Sequence, residues 1–250
     1  MMRSVLGIDV GGSSIKAAVV DVSSGEAITP LATVATPQPS TPENLIGMFL
    51  EFDARFATGG AIGLAVPCVV QRGVTRTAAN IDSAWLDFDC EAGIKSRIRR
   101  PVAVLNDADA AGLAEMTWGA GRATRGVVIM LTFGTGIGTA VFNDGRLLPN
   151  TEFGHLEMRG QDAERYASAR VRTEEHLDWS QWAPRVNEYL GRLHALFWPD
   201  VFILGGAVSE NFSLFAPLLK SRAEIRVAQF GGHAGLIGAA LAASRLEGAA

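Results

Sequence analysis

The segment Leu6-Gly-Ile-Asp-Val-Gly-Gly-Ser-Ser-Ile-Lys16 decides the fold, together with a counterpart, Leu131-Thr-Phe-Gly-Thr-Gly-Ile-Gly138, half a chain later. Each glycine-rich turn lies between two short apolar runs, which is the pattern of a β-hairpin. Because glycine has no Cβ, the backbone N–H groups of such a turn can approach an anion. Glycines in a single hairpin are usually turn chemistry only. Two such turns, with a carboxylate opening the first and hydroxyls in both, predict a phosphate chain held from two sides.

Composition restricts the class of protein. The 250 residues are 48% hydrophobic and 19% charged with 28 glycines, which is typical of a compact α/β protein. The net charge of −4 argues against a nucleic-acid-binding face, so a polyanionic ligand needs a local basic groove. Cys68 and Cys90 fit neither a disulfide scaffold nor a metal knuckle. With no signal peptide and no apolar run of about 18 residues, we expect a cytoplasmic protein with no membrane partner.

The order of elements predicts two similar lobes. Strand signals lie at 4–9, 15–21, 30–35, 61–66, 73–77, 102–105, 127–131, 137–142 and 201–204. Helix signals lie at 42–56 (after a Thr41 cap), 91–99, 106–118, 163–171, 179–198, 209–221 and 233–246. The pattern of three strands, helix, strand and helix occurs twice. We therefore expect an N-terminal lobe at 1–106, joined by the closing helix 233–247, and a C-terminal lobe at 107–232.

Asp9 and Lys16 flank the first glycine turn. A carboxylate at this position would repel phosphate unless it holds Mg²⁺, directly or through water. The alternative is an Asx-turn acceptor that caps its own loop. Lys16 is interpreted either as a phosphate contact or as a solvated lysine on the strand face.

Asn106 and Asp107 follow an apolar strand and open a helix, which is where ligands bind in α/β folds. Asp107 is either an ordinary capping residue or a general base that accepts a hydroxyl proton as phosphate arrives. A carboxylate suits the second role because phosphoryl transfer needs positioning more than a strong base.

Glu152, His155 and Glu164 form a third group after a turn-rich segment. Carboxylates and a neutral imidazole offer acceptors and a donor for several sugar hydroxyls. A metal pair and plain surface charge are the alternatives, although the spacing fits no common zinc motif. Asn80 is either an amide ligand of the same sugar or a turn residue.

Taken together, these residues closely resemble the ROK sugar kinases, and within them the bacterial polyphosphate glucokinases. The resemblance covers nearly the whole chain and rests on ordered motifs. Besides the two glycine turns, these begin at Thr36 (TPQPSTP), Thr77 (TAANID), Asn106 (NDADAAGLAEM), Pro149 (PNTEFGHLE), Pro199 (PDVFILGG) and Ala234 (AGLIGAA).

The resemblance implies an α/β, two-lobed actin-like fold of the duplicated ribonuclease H type, with glucose and a phosphoryl donor in the interlobe cleft. Asp107 falls at the position of the catalytic base. The positions that match sugar contacts are Asn80, Asn106, Asp107, Glu152, His155 and Glu164. The positions that match donor contacts are Asp9, Gly11, Gly12, Ser13, Lys16, Thr132, Gly134, Thr135, Gly136, Gly205 and Gly206.

The sequence departs from the family pattern at four places. The cysteine-rich zinc motif of many members is absent between Glu157 and Glu164, so no structural zinc is expected. Cys68 stands where glycine is expected after a proline. On the donor side, Glu210 replaces a common lysine, and the segment 231–233 replaces one that usually contains asparagine. The candidates for a basic donor track are Arg122, Arg125, Lys220, Arg222 and Arg226.

The resemblance implies a kinase that phosphorylates the 6-hydroxyl of glucose with Mg²⁺, using polyphosphate, ATP or both. A kinase of another hexose, such as mannose or N-acetylmannosamine, and a catalytically silent sugar-binding protein are the alternatives. Sugar-sensing regulators of the family carry a helix-turn-helix, which the sequence before Asp9 does not resemble, and we expect no nucleic-acid partner. Relatives are commonly dimers, and the tryptophan-rich segment 179–198 forms either a homodimer interface or a buried helix.

Overall fold

The computed structural model describes residues 3–247, and the chain divides into two units. The first unit contains the chain up to Ala114 and again from His233 onward, and the second contains Glu115 to Gly232. Within the described residues, no helix is long and apolar enough to cross a membrane.

The first unit is built on a mixed six-stranded sheet. Its elements are β1 (Ser4–Val10), β2 (Ser14–Asp21), β3 (Glu26–Ala27), β4 (Ala32–Ala35), α1 (Pro42–Phe56), β5 (Ile62–Val66), β6 (Val70–Gln71), β7 (Val74–Thr75), α2 (Cys90–Ile98), β8 (Val102–Asn106) and the first part of α3 (Asp107–Thr117). The sheet order is β3-β2-β1-β5-β8, with β4 beside β2 and a separate β6–β7 pair. Strands β1 and β2 form the predicted antiparallel hairpin, whereas β1, β5 and β8 run parallel.

The second unit repeats this arrangement. Its elements are β9 (Val127–Phe133), β10 (Ile137–Asn143), β11 (Arg146–Leu148), β12 (Glu157–Met158), β13 (Gln161–Asp162), α4 (Glu164–Ala167), α5 (Ala169–Glu174), α6 (Trp179–Phe197), β14 (Val201–Gly206), α7 (Phe212–Phe215) and β15 (Glu224–Val227). The sheet order is β11-β10-β9-β14-β15, and β12 and β13 form a small hairpin. Here too an antiparallel hairpin, β9–β10, is followed by parallel strands, β14 and β15.

The last helix, α8 (Ala234–Glu247), packs on the sheet of the first unit. Two strand glycines permit this contact, because a Cβ on Gly7 or Gly63 would lie 2.0 Å from a carbonyl oxygen of the helix. A Cβ on Gly238 would lie 1.7 Å from the carbonyl oxygen of Ala110 in α3. This close packing explains why the first unit extends through α3 to Ala114, beyond the predicted boundary at Asn106.

Each unit has its own apolar core. Phe49 of α1 and Trp85 are fully buried in the first, and Trp182, Tyr189 and Phe215 are fully buried in the second. The tryptophan-rich helix α6 is therefore largely a core element. Only its C-terminal end presents large apolar side chains to solvent, with Leu196 62% and Trp198 67% exposed.

Two predicted helices are wrong in the structure. The segment 209–221 contains only the one-turn helix α7, flanked by 3₁₀ turns, since Pro217 cannot continue a helix. The predicted helix at 163–171 is divided at Ser168, whose extended backbone ends α4 and whose hydroxyl caps α5 by accepting from the Val171 N–H. The prediction also missed β15.

Candidate active site

The first glycine turn connects β1 and β2, where Asp9 lies opposite Lys16. The Gly11 N–H donates to the Ser14 carbonyl at 3.0 Å, and the Thr36 hydroxyl donates to the Gly11 carbonyl at 2.6 Å. A Cβ on Gly11 would lie only 2.9 Å from the Ser14 oxygen, so this tight turn requires glycine. The turn is thus held by one hydrogen bond within it and one from Thr36.

The carboxylate of Asp9 lies against the first turn of α8. A Cβ on Gly235 would be 2.6 Å from its Oδ2 atom, so glycine is needed there as well. Burial raises the pKa of Asp9 to about 6, and the opposing charge of Lys16 only partly offsets that rise. The Asp9 carboxylate therefore has too little positive charge around it, and a bound cation would stabilise its ionised form.

A pocket of about 310 Å³ lies beside this turn. Its lining includes Gly11, Gly12, Pro67, Asn80 and Asp82. The structure therefore brings the predicted sugar ligand Asn80 together with the predicted phosphate turn, although they are far apart in the sequence. The pocket is large enough for several ordered waters or one small polar ligand.

Asn106 and Asp107 lie at the carboxyl end of β8, next to β5, which in turn lies beside β1. Because these three strands are parallel, Asp9 and Asp107 lie at the same edge of the sheet. The Asn106 side chain also caps helix α3: its Oδ1 accepts from the N–H groups of Ala108 and Asp109, and its Nδ2 donates to the Cys68 carbonyl. Asp107 is half-buried, and its Oδ1 accepts from the Ala108 N–H at 2.8 Å.

The second glycine turn connects β9 and β10, and the Gly134 N–H donates to the Gly136 carbonyl at 3.0 Å. Strand β14 pairs in parallel with β9, so that Gly205 lies opposite Thr132 and Gly206 opposite Phe133. The predicted donor residues of this unit therefore meet at one edge of the sheet. Gly206 has φ +80°, and a Cβ there would lie 2.5 Å from the Phe133 carbonyl oxygen.

Glu164 contacts this turn directly. Its Oε2 accepts from the Ile137 N–H at 3.3 Å, and a Cβ on Gly136 would lie 2.2 Å from the same oxygen. Gly154 is equally constrained, since a Cβ there would lie 2.3 Å from the Ile137 carbonyl oxygen. The carboxylate predicted to bind sugar thus also contributes to the predicted phosphate loop.

Glu152, His155 and Asp162 lie together next to Glu164. His155 Nδ1 is 3.2 Å from Asp162 Oδ2, and His155 Nε2 is 3.9 Å from Glu152 Oε2. Partial burial raises the pKa of Glu152; His155 opposes the rise and Glu164 adds to it. Potential ligand atoms of His155, Asp162 and Glu164 lie within 4.8 Å of one another, so these three could also hold a cation.

Among the predicted basic candidates, Arg226 has a structural role. Its guanidinium pairs with Glu224 at 2.8 Å and donates to the Ala120 carbonyl and the Thr124 hydroxyl. These contacts attach β15 to the segment before β9. Arg226 is therefore engaged within its unit and is not exposed as a donor ligand.

The other four candidates lie at the wrong edge of this sheet for the glycine turn. Arg122 and Arg125 precede β9, and Lys220 and Arg222 precede the parallel strand β15. The glycine turn follows the carboxyl end of β9, roughly 20 Å away along a seven-residue strand.

Sequence reasoning missed one cation, Arg170. Its backbone N–H donates to the Gly134 carbonyl at 3.1 Å, and its side chain is exposed. Nothing in the local sequence pairs α5 with a turn more than 30 residues earlier, so only the fold brings them together.

The departures from the family pattern are accommodated without strain in the described residues. Cys68 is buried in the first core and does not adopt a positive φ, so glycine is not required there. Glu210 is exposed in a 3₁₀ turn after β14, and His233 is exposed in the turn that leads into α8.

Comparison with known proteins agrees with this geometry. The model of the ROK family matches residues 5–169. The polyphosphate glucokinase of Mycobacterium tuberculosis (strain CDC 1551 / Oshkosh) is 43% identical over 96% of this chain and 91% of its own.

Two solved structures match with similar completeness. The inorganic polyphosphate/ATP-glucomannokinase of Arthrobacter sp. strain KM superimposes with a TM-score of 0.93 at 39% identity, covering 98% of this chain and 99% of its own. The ROK family glucokinase of Streptomyces griseus, in complex with glucose and AMPPNP, gives 0.83 at 26% identity, covering 97% and 100%. These matches confirm the predicted actin-like sugar-kinase fold, and the chain belongs to the ROK family.

Proposed function

We propose that the protein is a glucose kinase that transfers a phosphoryl group from polyphosphate or ATP to the 6-hydroxyl of glucose. The observation that carries this proposal is the full-length match at 43% identity to a polyphosphate glucokinase. The structural match to a polyphosphate/ATP-glucomannokinase supports the same reaction and both donors.

Asp107 is proposed as the general base. It is the first residue of α3 at the carboxyl end of a parallel strand, and its Oδ1 accepts a hydrogen bond from the Ala108 N–H. An ionised carboxylate there can accept the proton of the sugar hydroxyl as the phosphoryl group is transferred. Fixed orientation of the carboxylate supports the reaction because phosphoryl transfer depends mainly on positioning.

Sugar binding is proposed for Asn80 and Asn106 in the first unit and for Glu152, His155 and Glu164 in the second. Carboxylate oxygens accept from sugar hydroxyls, and the amides and imidazole can donate or accept. The clustering of Glu152, His155 and Glu164 supports their joint role.

Donor binding is proposed for the two glycine turns, with Ser13, Lys16, Thr132, Thr135 and the Gly205-Gly206 pair. Arg170 is added to this set because its backbone N–H donates to the Gly134 carbonyl of the second turn and the residue is exposed. An arginine there would offer a fork of donors to phosphate oxygens.

Asp9 is the residue proposed to hold Mg²⁺, directly or through water. A carboxylate is a preferred ligand of Mg²⁺, and the raised pKa of Asp9 means that an added cation would relieve an electrostatic cost. When bound, Mg²⁺ supplies charge neutralisation for the donor phosphates.

A homodimer is proposed on family resemblance. The exposed Leu196 and Trp198 at the end of α6 are candidate interface residues. Light scattering of the wild type and of Trp198→Ala tests this, and a monomeric wild type would refute it.

Mannose is a second proposed acceptor, because the structure from Arthrobacter is that of a glucomannokinase. Sugar 6-phosphate formation should be measured with glucose, mannose and N-acetylmannosamine, each with Mg²⁺ and either nucleotide-free polyphosphate or ATP. Turnover of glucose with polyphosphate is the expected result. Turnover with ATP but not with polyphosphate would limit the proposed donor to ATP. Turnover of another sugar but not of glucose would replace glucose as the proposed substrate. Glucose binding without turnover would indicate a silent sugar-binding protein.

A further inference from the structure

The hairpin β12–β13 places one carboxylate, Asp162, against the imidazole of His155. His155 belongs to the proposed sugar site, whereas Asp162 is not among the proposed sugar ligands. The Nδ1–Oδ2 distance of 3.2 Å is that of a hydrogen bond. Because an ionised carboxylate can only accept, Asp162 requires the proton of this bond to reside on Nδ1.

The position of Asp162 is fixed by its surroundings. Asp162 pairs with Glu157 across the hairpin, whose turn residues Arg159 and Gly160 have φ of 54° and 79°. The guanidinium of Arg159 bonds to Glu188 of α6 at 2.9 Å, which attaches the tip of the hairpin to the helix.

Both sides of the hairpin are also anchored in the unit. Met158 is buried in the second core, and the Ala163 N–H donates to the Leu156 carbonyl at 2.8 Å. The backbone that carries Asp162 is therefore anchored on both sides, so less conformational freedom is lost when the side chain bonds to His155.

The tautomer decides what the other ring nitrogen can do. With the proton on Nδ1, the Nε2 atom of neutral His155 is an acceptor, 3.9 Å from the acceptor Oε2 of Glu152. Two acceptors at that spacing suit two neighbouring hydroxyl groups, each of which donates to one of them. With the proton on Nε2 instead, His155 would become a donor directed at Glu152, and the pair could close on itself.

We propose that Asp162 is a positioning residue that holds His155 in the Nδ1–H tautomer, so that Nε2 and Glu152 accept from adjacent hydroxyls of the sugar. The binding of sugar hydroxyls by Nε2 and Glu152 rests on the proposed function, whereas the tautomer of His155 is a property of the protein alone. The two parts can therefore fail separately.

The first test is the tautomer of His155 in the ligand-free protein, read from ¹⁵N NMR spectra of the histidine side chains at pH 8, with His155→Gln for assignment. We expect a protonated Nδ1 and an unprotonated Nε2. We expect the Nε2–H tautomer to become populated in Asp162→Ala. A ring already protonated at Nε2 in the wild type, or a spectrum unchanged in Asp162→Ala, would overturn the proposal whatever the enzyme phosphorylates.

The second test separates positioning from folding. For Asp162→Ala we expect KM for glucose to rise about tenfold, the loss of roughly one hydrogen bond, with kcat and the KM of the donor nearly unchanged. Asp162→Asn should be intermediate, since its amide oxygen can still accept from Nδ1. Glu157→Gln is the matched control, because it changes the exposed carboxylate opposite Asp162 on the same hairpin.

Two further results, one kinetic and one from NMR, would overturn the proposal. One is an equal rise in the KM for glucose in Glu157→Gln and Asp162→Ala, which would indicate that only the negative charge of the hairpin matters. The other is broadening of the His155 signals by substoichiometric Mn²⁺ in the wild type but not in Asp162→Ala, which would make Asp162 a cation ligand. If no sugar is turned over while the tautomer responds as expected, the proposed function fails and the assignment of Asp162 as the partner of His155 stands.

Discussion

Substitution of Asp9 by asparagine tests the electrostatics of the first glycine turn, and we expect it to stabilise the ligand-free protein at pH 8. The pKa of Asp9 rises from 3.8 to about 6 on folding. Between these values the folded state holds a proton that the unfolded state has released, so stability falls as pH rises and the full penalty is present above about pH 6. A shift of about two pKa units corresponds to about 3 kcal/mol.

The helix α8 reduces this free-energy penalty for the ionised Asp9. The carboxylate lies beside Gly235 in the first turn of the helix, where partial positive charge favours an anion by up to about 1 kcal/mol. We therefore expect Asp9→Asn to raise the free energy of unfolding by about 2 kcal/mol at pH 8, or about 4–8 °C in Tm for a chain of this size. At pH 4 the gain should shrink to about 0.5 kcal/mol, because the folded carboxyl is then protonated and pH 4 lies close to the pKa of 3.8 at which the unfolded carboxyl releases its proton.

The assay is thermal unfolding at pH 4 and pH 8 without divalent cations, followed by titration with Mg²⁺. Asp21→Asn is the matched control, since Asp21 lies at the other end of the same hairpin. The N–H and hydroxyl of Ser23 donate to that carboxylate and lower its pKa, so its loss should destabilise the protein at pH 8 and matter less as pH falls. An Asp9→Asn variant no more stable than the wild type at pH 8, or one equally stabilised at both pH values, would refute the reasoning. Added Mg²⁺ should stabilise the wild type and have little effect on Asp9→Asn.

The remaining predictions concern ligands. Glu164→Ala should weaken glucose binding about tenfold in calorimetry, and an unchanged dissociation constant would argue against a sugar contact. Arg170→Ala should raise the KM of the donor several-fold more with long polyphosphate than with ATP, because a long polyanion depends on accumulated ion contacts. Arg222→Ala, at the opposite edge of the same sheet, is its control, and equal effects of the two would point to general surface charge. Protein treated with EDTA should recover full activity with Mg²⁺ alone, and a requirement for Zn²⁺ would contradict the expectation of no structural zinc.

Local chemistry explains what the sequence could predict. The two hairpins and the Thr41 cap of α1 are specified by neighbouring residues, and each is present in the structure. The Thr41 hydroxyl, for example, accepts from the Asn44 N–H as a capping residue should.

Contacts between distant residues explain the errors. In the segment predicted as a helix at 209–221, Pro217 already disfavours a helix, and the end of the segment is also bound by Asn187 of α6, whose side chain donates to the Leu218 carbonyl and accepts from the Lys220 N–H. No pattern within the segment itself reports this contact.

Prediction of the candidate site from the sequence was limited in the same way. The residue types were identified by motif, but the attachment of Glu164 to the second glycine turn and the position of Arg170 depend on tertiary packing. In the sequence Arg226 is a candidate for the basic donor track, whereas its contact with the Ala120 carbonyl, more than 100 residues earlier, is visible only in the fold.

The central claim is that this protein phosphorylates glucose with Asp107 as the base. Its most direct test is glucose 6-phosphate formation by the wild type and Asp107→Asn, with Mg²⁺ and polyphosphate or ATP, alongside calorimetry of glucose binding. We expect turnover by the wild type, a loss of about 10²–10⁴-fold in kcat in the variant, and glucose affinity within a few-fold. A wild type that binds glucose without turnover, or an Asp107→Asn variant that retains activity, would contradict the account.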